Sequence, residues 1–510
     1  MTIEAFTILF TILLVSCAAR FVPVPTIRQL LLLGASYFIY SQWAGKRFLL
    51  VLIASSLLNY FWGSVLRRRP TVALLWTGVG LNVLLLGFFK YLSPLANELP
   101  GLFEESDLVH WVILPLGISF WTFQALSYLF DIYLEKEVDP SLLEFCLYMA
   151  FWPTVVSGPV CRLPQMLPQF RQVSTSIRDD LAVGTIRLTQ GLFMKFVLAQ
   201  LLSSGLTPEG GVTAGFDGIS RARSGLDVWA LAIGYGFQLF FDFAGYSSMV
   251  IGAACLLGIR VRENFNHPYL SLTPSIFWTR WHMSLSFWIR DYVFVPLATV
   301  RRDPWWPYAA LIISMVIFGF WHGANLTFIV WGFYHGLLLV AHRVGQQLKH
   351  RMPFKFPHPI GALLSWATTF LLISLSYIFF RANDLSQALS MWRAVLAPRS
   401  YSFANATLPV DYYLLVFLMV AGYFLCVGVA QLGIYWKSAL RGNLLSGEMV
   451  NGGARPGWAT LTAPLLRIEG LVAQNKWWWL TPVFVLLLMV TSLSFFGQSS
   501  NIAPFIYTLF

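Results

Sequence analysis

Two histidines in apolar surroundings are the residues of this sequence best suited to move a proton. The first, His322, lies in the segment FGFWHGAN (318–325), near the middle of an apolar run from 309 to 341. A neutral imidazole can take a proton from a hydroxyl and return it near neutral pH. A polar group at membrane depth is costly and usually faces a bundle interior or a cavity. We therefore predict a catalytic His322, rather than a hydrogen-bonded structural histidine.

The second histidine, His282, lies in the aromatic and basic segment FWTRWHMSLSFWIRDY (277–292). If this segment is one helix, Trp278 shares a face with His282, whereas Arg280 points elsewhere. The imidazole could orient a substrate, act as a second acid or base, or pack at an interface. We predict that it takes part in function.

Ionisable residues in the other apolar segments indicate structural pairs rather than catalysis. Asp242 lies inside FQLFFDFAGYS (237–247), where a carboxylate must be paired, protonated or in contact with water. We predict that it forms an ion pair with an arginine of residues 280–290. Arg290 and Asp291 are expected to form a structural or headgroup-anchoring pair.

The composition is that of an integral membrane protein. Of the 510 residues, 57% are apolar and only 11% are charged, whereas soluble domains contain about 25% charged residues. The net charge of +11 is explained by cytoplasmic loops rich in Lys and Arg, and no nucleic-acid partner is predicted. The five cysteines are scattered without Cys-x-x-Cys spacing, so neither a disulfide framework nor a metal site is expected.

Apolar runs place about ten to twelve membrane spans along the chain, since a spanning helix needs about 20 apolar residues. The candidate spans are 3–19, 29–43, 48–65, 72–89, 111–133, 181–202, 226–257, 309–320, 326–341, 360–380, 412–434 and 478–496. Residues 145–156 are too few to cross, and 269–300 are too polar. We expect both to form re-entrant or interfacial helices, which are tolerated at membrane depth where protein encloses them.

A polar stretch at about 437–475 interrupts the apolar pattern near the carboxy terminus. It is rich in Gly, Ser and Pro and carries several charges, which suits a cytoplasmic insertion. The remainder of 1–510 is predicted to form a single membrane-embedded domain. No internal repeat is visible, and this weakens the case for a transporter.

Several segments together resemble the membrane-bound O-acyltransferase (MBOAT) family, and within it the bacterial proteins that acetylate alginate and other exopolysaccharides. The matching segments are LPLGISFWTFQ (114–124), FWP to GP (151–159), FDF to GYS (241–247), NF to PY (264–269), the segment 278–292, WHGA (321–324) and PFIY (504–507). They cover most of the chain in one order. Each is weak alone, but the combination is highly specific.

The resemblance implies an all-α polytopic fold, a ring of about eleven transmembrane helices with re-entrant or interfacial helices around a central tunnel. The family's embedded catalytic histidine, in a Trp-His-Gly setting, maps onto His322. Its second characteristic histidine, which follows Arg-Trp, maps onto His282. Polysaccharide-acetylating relatives commonly have an acid at the position of Ser248 and an arginine at Thr279, so these departures concern the choice of substrate and partner.

The activity implied is transfer of an acetyl group from cytoplasmic acetyl-CoA to a hydroxyl, with His322 as general base. Acetyl-CoA would be a substrate, and no tightly bound cofactor is expected. The acceptor would be an exported polysaccharide, or a periplasmic acetyltransferase partner that passes the group on, at the bacterial inner membrane. Residues predicted to line the tunnel or to stabilise an oxyanion are Asn325, Trp321, Trp278, Trp281 and Arg280.

Two alternatives remain at this stage. D-alanyl transfer to a cell-wall polymer uses the same fold, and the run WHMSLSFW (281–288) resembles that branch at least as well. A permease for acyl groups or polysaccharide would need no chemistry of its own. Turnover of a thioester by the purified protein would distinguish an enzyme from a permease.

Overall fold

The computed structural model describes residues 17–98, 114–135, 139–172, 176–206, 211–218, 224–349, 357–403 and 406–446. Helices connected by short turns make up this part of the chain, and no strand occurs in it. The protein is an all-α, multi-pass membrane protein, as predicted. Helices dominate because the backbone groups of a lipid-embedded segment must be satisfied within the segment itself.

Among the described residues up to 172 there are four long helices and two short ones. They are α1 (Pro25–Ala44), α2 (Lys46–Arg68), α3 (Val72–Glu98), α4 (Ile118–Glu135), α5 (Leu142–Ala150) and α6 (Leu163–Arg171). Residues 145–156, predicted to be re-entrant or interfacial, form the larger part of α5 and the turns after it. Nearly all of these residues are buried, so the segment lies inside the protein.

The remaining helices comprise long helices at the predicted spans and several short helices between them. They are α7 (Ile177–Phe193), which continues through the π-helical Met194–Ala199 to Gln200–Ser204, α8 (Val212–Asp217), α9 (Gly225–Leu256), α10 (Pro274–Trp278), α11 (Met283–Ile289), α12 (Val295–Ala298), α13 (Trp306–His322), α14 (Leu326–Lys349), α15 (His358–Arg381), α16 (Leu385–Leu396) and α17 (Val410–Ser446). The first ten residues of the predicted polar insertion continue α17, and 447–475 lie outside the described residues.

Seven helices of the described residues are long and apolar enough to cross a membrane, namely α2, α3, α7 with its continuation, α9, α14, α15 and α17. Helix α13 is equally apolar but has only 17 residues. Of the predicted spans, 478–496 and nearly all of 3–19 lie outside the described residues.

Helix α9 is the helix around which the others pack. A capping box begins it, in which the Ser224 hydroxyl accepts from the Asp227 amide while the Asp227 carboxylate accepts from the Ser224 amide. Its most apolar window is 83% buried, compared with at most 44% for the other spanning helices. Protein therefore surrounds α9 where lipid surrounds parts of the others. Glycines let α7 approach closely, since a Cβ on Gly191 would lie 2.5 Å from the Gly245 carbonyl oxygen.

The segment between α9 and α13 does not cross the membrane as one helix, in agreement with the prediction for 269–300. It consists of α10, α11, the π-helical Arg290–Phe294 and α12. Two histidines in this region, His267 and His282, have positive φ angles of 45° and 41°. Left-handed backbone is uncommon outside glycine and ends a helix locally. This part of the chain therefore turns repeatedly inside the protein.

Candidate active site

His322 is the last residue of α13. The helix ends there because Gly323 adopts an extended conformation that cannot continue it. Asn325 therefore lies beyond the end of α13. Helix α14 runs back along α13 at very short distance: a Cβ on Gly319 would lie 2.2 Å from the Phe328 carbonyl oxygen, and one on Gly332 would lie 2.2 Å from the Met315 carbonyl oxygen. The two helices form a tight hairpin that fixes the position of His322.

Aromatic rings surround the His322 imidazole. The ring centroids of Trp321, Phe380 and Trp331 lie 4.7, 4.8 and 5.4 Å from it. The imidazole is half-buried, and it faces a cavity described below. Because its neighbours are apolar, a positive charge on this ring would lose hydration without gaining a counterion. The surroundings therefore favour the neutral imidazole, which is the form that can accept a proton.

His282 lies at a break in the chain between α10 and α11, not within one helix as the sequence suggested. Its left-handed backbone places it as the N-cap residue of α11. The side chain is buried, and its Nδ1 atom lies 3.1 Å from the Asn264 Oδ1 atom. The Asn264 carbonyl oxygen also accepts a hydrogen bond from the Met283 amide, at 2.8 Å. Asn264 therefore holds both the ring and the backbone at this break.

The hydrogen bonds of Asn264 determine which nitrogen of His282 carries the proton. The Ser284 amide donates to Asn264 Oδ1 at 3.2 Å, so this atom is the acceptor end of the side chain. The side-chain nitrogen of Asn264, Nδ2, donates to Ser247 Oγ at 3.2 Å. The His282 Nδ1 atom must then be the donor towards Oδ1, and a neutral ring keeps its free lone pair on Nε2. His282 can thus accept a proton or a hydroxyl hydrogen bond through Nε2.

Both histidines line one cavity inside the protein. Its volume is about 30 Å³, and its walls are Leu239, Phe243, Trp281, His282, Phe318, Trp321, His322, Trp331, Tyr377 and Phe380. The lining contains no Asp or Glu. The site is mostly aromatic and equipped with two imidazoles.

Several buried N–H groups around this cavity have no hydrogen-bond partner among the described residues. They include the indole Nε1 atoms of Trp321 and Trp331, both of which belong to cavity-lining residues, and that of Trp278. The Nε2 atom of His282, which carries the lone pair and is an acceptor, is also buried without a partner. Buried polar groups are normally satisfied. Unsatisfied donors beside a cavity are what a site needs to bind an oxygen atom of a substrate.

Three of the residues predicted to line the tunnel do not line this cavity. Trp278 is buried behind it, with its ring 5.9 Å from Trp331. The half-buried Arg280 accepts a backbone hydrogen bond from the Asn266 amide. Asn325 is exposed: it donates to the Asn383 carbonyl at 2.8 Å and accepts from the Thr327 amide at 3.1 Å. It therefore organises the start of α14. Trp281 and Trp321 do line the cavity.

The acidic residues form ion pairs at a distance from the cavity. Asp242 pairs with Lys195 of the α7 continuation, and the prediction of an arginine partner from 280–290 was wrong. Asp291 pairs with Arg290 at 2.7 Å and with Arg162 at 2.6 Å. Burial raises the pKa of Asp291, but the two arginines outweigh this and hold the pKa below its ordinary value. These pairs are structural in character.

Sequence reasoning missed part of the site. Trp331 on α14 lines the cavity, as do Tyr377 and Phe380 on α15, which are far along the chain from both histidines. His335, which the sequence analysis did not single out, is buried with its ring 4.8 Å from Trp331. An available signal was its spacing, since His335 follows Trp331 by one helical turn.

Within the described residues, no group of three or more His, Cys, Asp or Glu side chains could hold a metal ion. The cavity itself presents two imidazoles and several N–H donors. Such a set can deprotonate a hydroxyl and stabilise an oxyanion.

Comparison with known sequences connects this arrangement to a family. A model of the membrane-bound O-acyltransferase family matches residues 103–383, a range that contains both histidines. A model of a second family, one of unknown function, matches residues 468–510, which lie outside the described residues.

Curated relatives have related acyl-transfer activities in their names. A probable alginate O-acetylase of Pseudomonas putida is 34% identical over 381 residues, which is 72% of this chain and 75% of the relative. A peptidoglycan O-acetyltransferase of Helicobacter pylori is 32% identical over 412 residues, covering 75% and 76% of the two chains. A teichoic acid D-alanyltransferase of Streptococcus thermophilus is 38% identical over 221 residues, covering 41% and 52%.

Proposed function

The chain belongs to the membrane-bound O-acyltransferase family, and from this premise we propose that it transfers an acetyl group from acetyl-CoA to an acceptor hydroxyl, with His322 as general base. It is an O-acyltransferase by family. The observation that carries the finer proposal is the shared cavity, which an embedded imidazole lines beside unsatisfied N–H donors.

In the proposed reaction His322 removes the proton of the acceptor hydroxyl as its oxygen attacks the carbonyl carbon of the thioester. The tetrahedral intermediate carries its negative charge on the former carbonyl oxygen. Collapse of the intermediate breaks the carbon–sulfur bond, and the imidazolium returns its proton to the departing thiolate. The products are the acetyl ester and free CoA. Both halves of this proton transfer are ordinary imidazole chemistry.

Trp321 and Trp331 are suited to stabilise the oxyanion, since their indole N–H groups are buried, unpartnered and part of cavity-lining residues. Removal of one such donor costs about 100- to 1,000-fold in rate in known enzymes. Neutral His282 cannot take this role, because its Nδ1 proton is committed to Asn264. Its Nε2 lone pair is better placed to accept a hydrogen bond from the acceptor hydroxyl and orient it.

The cavity favours acetyl over D-alanyl as the transferred group. A D-alanyl group carries an ammonium, and burying that charge without a counterion is costly. No carboxylate lines the cavity, and the carboxylate of Asp242 is already paired with Lys195. An acetyl group is uncharged and suits the mostly apolar lining of the cavity. Relatives that match over more of their length are also the O-acetyltransferases rather than the D-alanyltransferase.

The donor would approach from the cytoplasm and the acceptor from the opposite side of the bacterial inner membrane. The acceptor would be an exported polysaccharide, or a periplasmic acetyltransferase that relays the group. Support for a polysaccharide comes from relatives named for alginate. An enclosed, aromatic-walled cavity would protect the thioester from bulk water. The permease hypothesis loses its basis, because the family is one of enzymes.

The test is replacement of His322 by Ala in membranes supplied with labelled acetyl-CoA, measuring label in polymer or protein acceptor. We expect H322A to lose transfer at wild-type abundance. His342 of α14 lies outside the cavity, so H342A serves as the matched control and should remain active. Normal transfer by H322A would remove His322 from the mechanism. Mass spectrometry of the product would show whether the transferred group is acetyl or D-alanyl.

A further inference from the structure

A lysine of α3 contacts the end of the helix that carries His322. The Lys90 ammonium donates a hydrogen bond to the Trp321 carbonyl oxygen and lies 4.8 Å above the centre of the Trp321 ring. The two residues are 231 positions apart in the chain. The Lys90 side chain is buried, with 9% of its surface exposed. It lies before the part of the chain that the family model matches.

The carboxy-terminal end of α13 has backbone carbonyl groups that need a hydrogen-bond donor from elsewhere in the protein. The last carbonyl groups of a helix have no partner within the helix, and the helix dipole makes this end negative. At the neighbouring position, Phe320, the carbonyl oxygen accepts from the Gly323 amide at 3.2 Å and from the Tyr91 hydroxyl at 2.7 Å. The Tyr91 ring also stacks on the Phe320 ring at 4.6 Å. Adjacent residues of α3 thus hold two successive carbonyls just before His322.

A charged side chain inside a membrane protein needs a reason to be there, because its burial is costly. A lysine can often reach the membrane surface along its own aliphatic chain, but the ammonium of Lys90 is turned inward to α13. Among the described residues no carboxylate forms an ion pair with it. Its visible partners are the Trp321 carbonyl and ring, so its charge serves the helix end.

We propose that Lys90 is a positioning residue for catalysis, which holds the last turn of α13 so that His322 and the Trp321 indole face the cavity together. This inference rests on the proposed role of His322 as general base. Lys90 itself does not touch the substrate. Its contribution is geometric: a base displaced by about 1 Å can lose roughly 100-fold in rate although substrate binding is kept.

The experiment compares K90M, K90R and Y91F with the wild type and H322A, measuring kcat and KM for acetyl-CoA, abundance and apparent Tm. K90M keeps the aliphatic length but removes the donor and the charge. We expect its kcat to fall at least about 10-fold with a KM within about two-fold of wild type, because only the geometry of the reacting groups changes. K90R can still donate to the carbonyl and stack on the indole, and should recover most of the lost kcat.

Y91F is the matched control, because the Phe320 carbonyl keeps the Gly323 amide as a partner, and its kcat should stay within about three-fold of wild type. Wild-type kcat in K90M overturns the inference, as does an equal loss in K90M and K90R. If K90M does not accumulate, K90Q is measured in its place, and failure of both to fold assigns Lys90 a purely structural role. An active H322A would instead refute the proposed base, so the two failures are distinguishable.

Discussion

The two histidines of the cavity are held by different means. The His282 ring is oriented by a hydrogen bond to Asn264, whereas the position of His322 depends on aromatic packing and on where α13 ends. A ring fixed by a hydrogen bond has one tautomer and one orientation. A ring packed among aromatics keeps its nitrogens free for substrate. This difference agrees with a proton-transfer role for His322 and an orienting role for His282.

Replacement of Asn264 by Ala tests the orienting role. Without the Oδ1 acceptor, the Nδ1 atom of His282 has no fixed partner, and the ring can adopt the wrong tautomer or turn. Loss of the correct tautomer costs up to about 10⁴-fold in a known histidine-dependent enzyme. We expect N264A to lower kcat at least about 10-fold, measured as acetyl transfer per folded protein.

Ser247 provides the control for this change, because it accepts only from the other end of the Asn264 side chain. S247A removes that one hydrogen bond and leaves the contact between Asn264 and His282 in place. Its activity should stay within about three-fold of wild type, since one hydrogen bond contributes about 1 kcal/mol. Equal losses in S247A and N264A would mean that the whole polar cluster matters only for folding.

For single residues, the sequence identified the two histidines but not the residues that hold them in place. His322 and His282 stand out because an ionisable group in an apolar run needs a reason to be there. Asn264 has no such signature, and Lys90 directly follows the predicted span 72–89, where a lysine normally reaches the membrane surface. The contacts that give these two residues their meaning cross 18 and 231 positions of the chain. Single-sequence patterns report neighbours along a helix or strand, and these contacts join different elements.

Among the helices, the hairpin of α13 and α14 determines where His322 lies. The helices approach through Gly319 and Gly332, each of which faces a carbonyl oxygen of the other helix. Small residues allow this kind of close packing between membrane helices. Because backbone atoms cannot move aside as a flexible side chain can, the hairpin tolerates no added methyl group at either position.

We expect G319A to separate the two helices and to reduce both stability and acetyl transfer. Its Cβ would lie 2.2 Å from the Phe328 carbonyl oxygen. Overpacking costs about 1–3 kcal/mol, and a clash with backbone belongs at the upper end of that range. Apparent Tm in detergent and transfer in membranes would both fall, and activity per folded protein would fall as well because His322 is displaced.

Gly345, on α14, the other helix of the hairpin, is the matched control. A Cβ there would meet nothing within 4 Å, and alanine is favoured over glycine in a helix by up to about 1 kcal/mol. G345A should therefore keep or slightly raise the apparent Tm, with unchanged transfer. A G319A protein as active and stable as G345A would show that the close approach of the helices is not needed.

The helices themselves were largely predictable, and their interruptions only in part. Long apolar runs such as those of α9 and α15 are recognised by length and hydropathy. The polar character of 269–300 correctly indicated a segment that does not cross simply. The gap between the predicted spans 309–320 and 326–341 agrees with the end of α13 and the start of α14. The break at His282 was not predicted, because the residues on both sides of it are equally compatible with a continuous helix.

In the whole molecule, the cavity is assembled from elements that are distant in the chain. Its walls come from α9, from residues 281–282, and from α13, α14 and α15. Family resemblance could anticipate a ring of helices around a tunnel, but not which side chains meet there. That depends on the packing of each helix against α9, and a hydropathy pattern shows which residues avoid water without showing which of them touch.

A buried cluster of ion pairs joins three other segments that are distant from one another in the chain. The Asp180 carboxylate is fully buried at the start of α7, where it pairs with Arg20, at 2.5 Å, and with Arg260, which follows α9. It therefore ties the chain before α1 and the end of α9 to α7. Breaking a buried pair by removing one partner is costly, because the remaining charge loses its neutralisation in a poorly hydrated place.

We expect D180N to lower the stability of the whole protein by about 3 kcal/mol, the lower end of the range for buried pairs, while transfer per folded molecule stays near wild type because the cluster lies outside the cavity. Asp217, which pairs with Arg381 at 2.9 Å, has 52% of its side chain exposed, so D217N should change stability by less than about 1 kcal/mol. Apparent Tm and abundance distinguish the two variants. A D180N protein as stable as D217N would mean that helix packing alone holds α7 and α9 together.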